Sequence, residues 1–184
     1  MKIRPKFFIG LVRNIILKIR YGKRIDLPLL KVYIHPSTRV EISEAGKISF
    51  RASRRIYIDR GGLIRASGGS IEIGSGFFMN QNCMMVSHQS VSIGSEVMFG
   101  PGVCVFDSDH SMKLGCGAFA NQGYEKSPVA ISNNVWIGAN SVVTRGCTVS
   151  SDTVIAANSV ARGHLVAGSV YAGVPTKRVK SLSA

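Results

Sequence analysis

The sequence predicts an all-β fold, a parallel β-helix built from six-residue units. An aliphatic or small apolar residue returns every six positions, at Ile131, Ile137, Val143, Val149, Ile155 and Ala161. A mostly small or β-branched residue lies four positions beyond each of them, at Val135, Ser141, Cys147, Thr153, Ser159 and Leu165. A period of six is neither helical nor alternating, whereas three short flanks and three tight turns close a triangular coil of about 18 residues. A run of ordinary buried strands is the alternative interpretation.

Charge is distributed unevenly along the 184 residues, a length that suits one domain with an appendage. The net charge is +13, and residues 1–60 carry +11 of it, from 15 basic and 4 acidic residues. A surface that binds nucleic acid along its length would not be charged in this way, and no basic-aromatic recognition motif is present. The expected partner is therefore an anionic substrate or an anionic membrane surface, not a nucleic acid.

The cysteine pattern predicts free thiols. The four cysteines, at positions 83, 104, 116 and 147, show no CxxC spacing. Cys83 and Cys147 fall on the small position of the repeat, where a side chain is buried. Free buried thiols are typical of a reducing compartment, so we expect a cytoplasmic protein.

The N-terminal segment, residues 1–30, is predicted to be a basic amphipathic helix or cap. Residues 1–24 contain eight basic and no acidic residues, and Lys6, Arg13 and Arg20 recur every seven positions. The opposite side carries apolar residues at helical spacing, namely Phe8, Leu11, Val12, Ile15, Ile16 and Ile19. Basic residues interrupt this run too early for a transmembrane span, and no cleavage site for a signal peptide follows. Either the apolar face caps the end of the β-helix, or the helix lies peripherally on the inner, anionic leaflet of the cytoplasmic membrane.

The second predicted unit, residues 31–184, contains the β-helix and a basic C-terminal tail. The six-residue period appears at Ile73 and, after a slip of two residues, at Ile93, and it resumes at Ile131. The interval of 38 residues between the last two equals one coil plus an excursion of about 20 residues. We place a protruding loop at about residues 107–127, because long insertions in repeat scaffolds commonly carry binding or catalysis.

The start of the excursion, Asp107-Ser108-Asp109-His110, offers a candidate general base. An imidazole with an unperturbed pKa near ~6.5 can accept a proton at neutral pH, and a nearby carboxylate can fix its tautomer. The alternative is a solvated histidine of a surface loop.

Several motifs together resemble the hexapeptide-repeat acyltransferases over about residues 70–180. The resemblance is closest to the sugar O-acetyltransferases and the enzymes that acetylate bacterial surface polysaccharides. Its motifs are Asn80-Gln81-Asn82-Cys83, the run from Ser92 to Val103, His110, Pro128-Val129-Ala130-Ile131, the run from Asn134 to Asn140, and Ala172-Gly173-Val174-Pro175. The resemblance implies a left-handed coil, a homotrimer with sites between subunits, acetyl-CoA as donor, a carbohydrate acceptor and no metal.

The resemblance also implies roles for individual residues. His110 falls on the catalytic base, and Asn80 on a conserved asparagine that contacts the acceptor or the developing oxyanion. His88 and Asp109 fall in acceptor-binding positions, although the sugar enzymes have an acidic residue where this chain has His88. The positions that border acetyl-CoA are matched by Trp136, Ala139, Ala157, Arg162, Lys177 and Lys180.

We therefore expect an acetyl-CoA-dependent O-acetyltransferase that acts on a sugar hydroxyl of a capsule, O-antigen or exopolysaccharide, or on its lipid-linked precursor. The alternatives on the same scaffold are N-acylation of a nucleotide-linked amino sugar, a zinc enzyme of the carbonic-anhydrase type, and a non-catalytic solenoid. The zinc alternative needs three converging histidines, and the sequence has no HxxxxH pair.

Overall fold

A computed structural model describes residues 5–183 of the chain, and the side chains from Phe8 onwards. Residues 1–4 of the predicted N-terminal segment, residue 184 of the tail, and the side chain of Lys6 lie outside the described residues. The elements are α1 (Pro5–Tyr21), a 3₁₀ turn (Gly22–Arg24), β1 (Ile25–Asp26), β2 (Val32–Ile34), β3 (Arg39–Ile42), β4 (Lys47–Phe50), β5 (Ile56–Ile58), β6 (Leu63–Ala66), β7 (Ser70–Ile73), β8 (Phe78–Met79), β9 (Met84–Ser87), β10 (Ser90–Ile93), β11 (Met98–Phe99), β12 (Cys104–Phe106), β13 (Ser108–His110), a second 3₁₀ turn (Phe119–Asn121), β14 (Tyr124–Lys126), β15 (Val129–Ile131), β16 (Trp136–Ile137), β17 (Val142–Val143), β18 (Thr148–Val149), β19 (Val154–Ile155), β20 (Val160–Ala161), β21 (His164–Leu165), β22 (Ser169–Gly173) and β23 (Thr176–Ser181).

The strands form a parallel β-helix of about 7 turns with three faces. Face 1 contains β1, β4, β7, β10, β15, β18 and β21; face 2 contains β2, β5, β8, β11, β16, β19 and β22; face 3 contains β3, β6, β9, β12, β17 and β20. The chain visits the faces in the order 1, 2, 3 in each coil, so corner 1/2, corner 2/3 and corner 3/1 follow in turn. Strand β23 turns back and pairs antiparallel with β22 at the C-terminal end of face 2.

The register confirms the predicted insertion. Ile93 of β10 lies opposite Ile131 of β15 on face 1, so the 38-residue interval is one coil and an excursion. The excursion leaves between β12 and β15 and contains the antiparallel pair β13 and β14. The all-β prediction, with its N-terminal helix and its protruding loop near residues 107–127, is confirmed.

The core is a single column of inward-facing side chains. Every residue of the six-residue series from Ile131 to Ala161 is at most 2% exposed. The second, small series is buried as well, with Ser141 and Thr153 at 0%. A small side chain is needed there because the corner leaves little room between stacked turns, and the hydroxyl of Ser141 reaches the backbone carbonyl of Ala156, 2.9 Å away. The two series therefore mark the residues that each coil buries.

Helix α1 covers the N-terminal end of the coil, but not with the face that the sequence suggested. Its inner side consists of Gly10, Asn14, Leu17 and Tyr21, which are all buried. Five of the six apolar residues expected to form the cap are exposed, Ile19 to 79%, and Leu11 is half-buried. Capping through the apolar face is therefore wrong, although the helix does lie at the end of the β-helix. Within residues 5–183, the structure has no helix with the length and apolar character needed to span a bilayer.

Candidate acetyl-transfer site

The excursion begins as a two-stranded ribbon at corner 3/1. In this ribbon Ser108 lies opposite Lys126, Asp109 opposite Glu125 and His110 opposite Tyr124. Its base is closed by the amide of Ser127, which donates to the carbonyl of Asp107 over 2.9 Å. The antiparallel register therefore holds the backbone of His110 three residues beyond Asp107, at the base of the ribbon.

Asp107 anchors the ribbon from inside the wall. Its side chain is 0% exposed, and its carboxylate accepts hydrogen bonds from the amides of His88 and Gln89 at 2.7 and 2.9 Å. The hydroxyl of Ser87 lies 2.7 Å from the same carboxylate. A buried carboxylate is stable when donors surround it in this way. Asp107 thus connects the preceding coil at residues 87–89 to the start of the excursion.

The sequence analysis noted Asp107 only as the start of the excursion and missed this anchoring role. A signal for it exists, because the residue directly follows a buried strand and lies one coil beyond Ser87 and His88. The donors, however, are backbone amides, which no side-chain motif reveals.

Three aromatic rings form the outer part of the site. The ring of Tyr124 is stacked on that of His88 at a centroid distance of 4.3 Å, and the ring of His110 lies 4.6 Å from Tyr124 on a tilted plane. Tyr124, from the far strand of the ribbon, therefore lies between the two predicted site histidines. The sequence analysis assigned no role to Tyr124, since its position depends on the register of the ribbon.

The two histidines differ in their surroundings. His110 is exposed, so an acceptor can approach its ring from solvent. His88 is half-buried, and desolvation lowers its pKa below the ordinary value; Asp107 opposes this shift, whereas Lys126 and Arg65 add to it. At neutral pH His88 is therefore uncharged and is suited to stacking and hydrogen bonding.

Asp109 is held by a cation from the next coil. The guanidinium of Arg145 donates to Asp109 at 2.6 Å and to Glu125 at 2.9 Å. These two carboxylates lie directly opposite each other in the ribbon, where like charges would repel. Arg145 removes that repulsion and ties the ribbon to corner 3/1. The acceptor-binding role of Asp109 stays a prediction, because its carboxylate is engaged by Arg145 in this structure.

We expect Arg145→Ala to loosen the excursion without unfolding the β-helix. Protease cleavage within residues 107–127 should accelerate by roughly twofold to fivefold, because exposed ion pairs contribute up to about 1 kcal/mol. Limited proteolysis followed by mass spectrometry measures this rate. The control is Arg145→Lys, which keeps the positive charge. Its cleavage rate should lie between those of the parent and of Arg145→Ala. Equal cleavage of all three proteins would show that Arg145 does not hold the ribbon.

A second group of predicted residues lies on face 2 and at corner 2/3. Trp136 is the first residue of β16, points outwards and is 52% exposed. It continues an outward row of neighbours in register on face 2, with Phe78 and Met98 on the preceding strands. Asn80 follows β8 at corner 2/3, where its Oδ1 accepts the amide of Gln81 at 2.8 Å.

Ala139 and Ala157 lie on successive turns of corner 2/3. The backbone packs tightly there: the amide of Asn158 donates to the carbonyl of Ala139 at 2.8 Å. A Cβ at Gly138 would overlap the backbone nitrogen of Ala157, so the corner requires glycine at that position. Ala139 is half-buried and Ala157 exposed, and their methyl side chains project little from the corner; we call this stretch of corner 2/3 the ledge.

The predicted cations are distributed over two places. Arg162 is exposed and follows β20 at corner 3/1, one turn beyond Arg145. Lys177 and Lys180 are exposed on β23, opposite Ala172 and Val170. Arg178, which the sequence analysis left without a role, donates to the hydroxyls of Ser169 and Ser181 and stabilises this hairpin.

The site residues consequently form two groups on one chain. His88, Asp109, His110 and Arg162 lie at corner 3/1, whereas Asn80, Trp136, Ala139 and Ala157 lie on face 2 or at corner 2/3. Face 3 separates the two corners by roughly 15 Å, since a strand advances about 3.3 Å per residue. The structure does not bring the predicted base and the predicted tryptophan together within one chain.

The cysteines take no part in either group. Burial raises the pKa of Cys83 and of Cys147 to about 11, so both thiols stay protonated at neutral pH. Among the described residues, no cluster of three or more His, Cys, Asp or Glu side chains is arranged to hold a metal ion.

Known proteins resemble the chain both in sequence and in fold. The galactoside O-acetyltransferase of Escherichia coli (strain K12) is 31% identical over 116 residues, which are 63% of this chain and 56% of that protein. The putative lipopolysaccharide biosynthesis O-acetyl transferase WbbJ of the same organism is 26% identical over 180 residues, 94% of this chain and 87% of that protein. No family model matches the chain. The chain spans about half the length of the first curated relatives it matches.

Among solved structures, a mutant of AntD, an N-acyltransferase from Bacillus cereus, has a TM-score of 0.72 at 15% identity, covering 94% of this chain and 90% of that one. This likeness shows the fold, which is the left-handed parallel β-helix of these acyltransferases. The chain is thus similar, in sequence and in fold, to acyltransferases of the hexapeptide-repeat type. The similar proteins include sugar O-acetyltransferases.

Proposed function

We propose that this chain is an acetyl-CoA-dependent O-acetyltransferase that acetylates a sugar hydroxyl of a bacterial surface glycan or of its lipid-linked precursor. The observation that carries the proposal is an exposed imidazole, His110, held on a ribbon by Tyr124 and an anchored carboxylate beside the β-helix wall. The similarity to WbbJ over 94% of the chain supports a glycan acceptor.

In the proposed reaction His110 acts as the general base. A nitrogen of its ring accepts the proton of the acceptor hydroxyl, and the oxygen attacks the thioester carbon of acetyl-CoA. The carbon–sulfur bond breaks, the acetyl group is left on the acceptor as an ester, and the proton passes from His110 to the departing thiolate. Base assistance of this kind contributes about 10²- to 10⁴-fold to the rate.

The donor site we propose is formed by face 2 and corner 2/3. The ledge at Ala139 and Ala157 offers backbone without bulky side chains, which suits an extended pantetheine arm. Trp136 supplies an exposed apolar wall next to it. Lys177 and Lys180 on β23 offer cations for the phosphates of coenzyme A, and Arg162 at corner 3/1 would be contributed by a neighbouring copy. The residues present therefore fit the donor, and CoA is bound in the AntD structure.

A homotrimer would complete this site. Face 1 presents polar side chains such as Glu72, Ser92 and Thr148, whereas the outward rows of faces 2 and 3 are largely apolar in the later coils. Two different apolar faces favour a head-to-tail contact between copies, which closes into a ring. Such a contact would bring face 2 of one copy to corner 3/1 of the next, and with it Trp136 to His110.

We propose a cytoplasmic location, where acetyl-CoA and reduced thiols are present; the free cysteines support it. The acceptor is less constrained, because His88 stands where the sugar enzymes have an acidic residue. N-acylation of a nucleotide-linked amino sugar is the alternative, in line with the amino-sugar ligand named for the AntD complex.

The test is an acetyl-transfer assay with the purified chain. Release of the CoA thiol is followed with free sugars, lipid-linked glycan precursors and nucleotide-linked amino sugars as acceptors, and the products are examined by mass spectrometry. Formation of an acetyl ester on a glycan hydroxyl supports the proposal. Transfer only to an amine would replace it with the alternative, and absence of transfer to any hydroxyl or amine would favour a non-catalytic role.

A further inference from the structure

Helix α1 exposes a continuous apolar surface that the rest of the chain leaves uncovered. We call it the outer face of α1, and it consists of Phe8, Ile9, Val12, Ile15, Ile16 and Ile19. These side chains are between 41% and 79% exposed. Single exposed apolar residues are common on soluble proteins, whereas six large ones on one helix face mark an interaction surface.

The outer face cannot turn inwards, because hydrogen bonds fix the opposite side. The amide of Asn14 donates to the carbonyls of Leu29 and Val32 at 3.0 and 2.7 Å. The hydroxyl of Tyr21 donates to the carbonyl of Val40 at 2.8 Å. A rotation that buried the outer face would break these bonds in a region closed to water.

Cations border the outer face, and α1 has no acidic residue. On a helical wheel Lys18 lies along one edge and Arg20 along the other. Arg13 lies on the side of Arg20, but its guanidinium donates to the carbonyls of Pro36 and Thr38 and is not available to a lipid. Lys23 and Arg24 follow in the 3₁₀ turn. An apolar stripe between two cationic edges is the arrangement of helices that lie in the plane of an anionic bilayer.

A groove of about 590 Å³ runs beside the outer face, between α1 and β3. Ile9, Val12 and Ile16 form its apolar side, and Arg20 and Arg39 lie among its lining residues. Its one carboxylate, Glu41, is paired with Arg65 at 2.7 Å. Apolar walls with guanidinium groups alongside suit an anionic lipid, with an acyl chain in the groove and a phosphate at its rim.

We propose that the outer face of α1 docks this chain on an anionic lipid bilayer. The helix lies in the interface plane, its apolar side chains enter the boundary between headgroups and acyl chains, and its cations contact lipid phosphates. A second copy of the chain is the rival occupant, but it would bring the strongly basic N-terminal third of one chain against that of another. The proposal goes beyond acetyl transfer and does not depend on the role of His110.

Vesicle flotation with the full chain tests this proposal. Vesicles of phosphatidylcholine with phosphatidylglycerol are compared with phosphatidylcholine alone, at low and at high salt. The parent protein should float with the anionic vesicles, and the bound fraction should fall at high salt, because screening weakens the contacts of its cations.

Two variants locate the contact. The triple variant V12Q, I16Q and I19Q should bind anionic vesicles at least about tenfold more weakly, since each change removes apolar area from the lipid contact. The matched control, L114Q with V174Q and V179Q, changes three side chains that are 62% to 94% exposed elsewhere and should bind like the parent. A charge variant, K18E with K23E, should lose binding while leaving every core residue in place.

Several results would overturn the proposal. Absence of flotation by the parent, or equal binding by the triple variant and the parent, would do so. A triple variant that assembles into a smaller oligomer in light scattering would assign the outer face to a second copy instead. His110→Ala should float as the parent does, so failure of docking and failure of the proposed chemistry are distinguishable.

Discussion

Replacing His110 by alanine is expected to lower kcat for acetyl transfer by about 10²- to 10⁴-fold, the contribution of a general base. The exposed side chain leaves no cavity in the core, so the thermal unfolding temperature should stay close to that of the parent. Because the ledge, Trp136 and the cations, and not His110, are the groups proposed to hold the donor, the affinity for acetyl-CoA should be nearly unchanged. The effect should therefore appear in kcat.

His164→Ala is the matched control for this experiment. His164 is also exposed on the β-helix, where its Nδ1 lies 2.7 Å from the hydroxyl of Thr148. Its removal should leave kcat within about twofold of the parent, as expected for a surface change. Undiminished transfer by His110→Ala would remove the base role.

The fold could be read from the sequence because each coil obeys a local rule. The six-residue series sets which side chains point inwards, and a register error of one residue would expose the whole series. The interval from Ile93 to Ile131 could be divided into a coil and an excursion for the same reason, since the two residues had to stack. Periodicity thus located both the scaffold and its interruption.

The orientation of α1 could not be read from apolar residues alone. The apolar spacing predicts which face of the helix is apolar. It does not show whether that face packs on the protein or on something else. The buried side is instead chosen by a close approach at Gly10 and by the amide of Asn14, which reaches two carbonyls of the first coil. Because asparagine is polar, a search for apolar residues does not find this buried position.

In the candidate site, likewise, some features follow from the sequence alone and others depend on how the chain folds. His110 could be identified because it lies where the six-residue period is interrupted and because it matches a motif of the resembling family. Both are properties of the sequence. The stacking of Tyr124 between two histidines depends on how the ribbon pairs, and the loop of 13 residues that joins its strands does not fix that register. The clamp formed by Arg145 depends in turn on the same pairing, since it needs Asp109 and Glu125 side by side.

Asp107→Ala is expected to be the most destabilising single change at the site. It leaves the part-buried amides of His88 and Gln89 without their carboxylate acceptor. Ser87 is less affected, because its hydroxyl also lies 3.0 Å from the carbonyl of Ser70. Two unsatisfied amides cost about 2–6 kcal/mol together, at about 1–3 kcal/mol each. In a domain of this size that corresponds to a fall of roughly 4–24 °C in the unfolding temperature.

The same change should also impair transfer, because Asp107 joins the coil that holds His88 to the ribbon that holds His110. Chemical denaturation measures the stability, and hydrogen exchange at the amides of His88 and Gln89 should accelerate in Asp107→Ala. Asp107→Asn keeps the shape of the side chain but removes its charge. Its amide oxygen can still accept from His88, whereas its NH₂ group faces the other donors. We therefore expect a smaller loss of stability than in Asp107→Ala. Asp26→Ala removes an exposed strand carboxylate whose described partner is Arg51, 3.9 Å away, and serves as the control. If Asp107→Ala proved as stable as Asp26→Ala, with unchanged exchange at both amides, Asp107 would not be the anchor of the site.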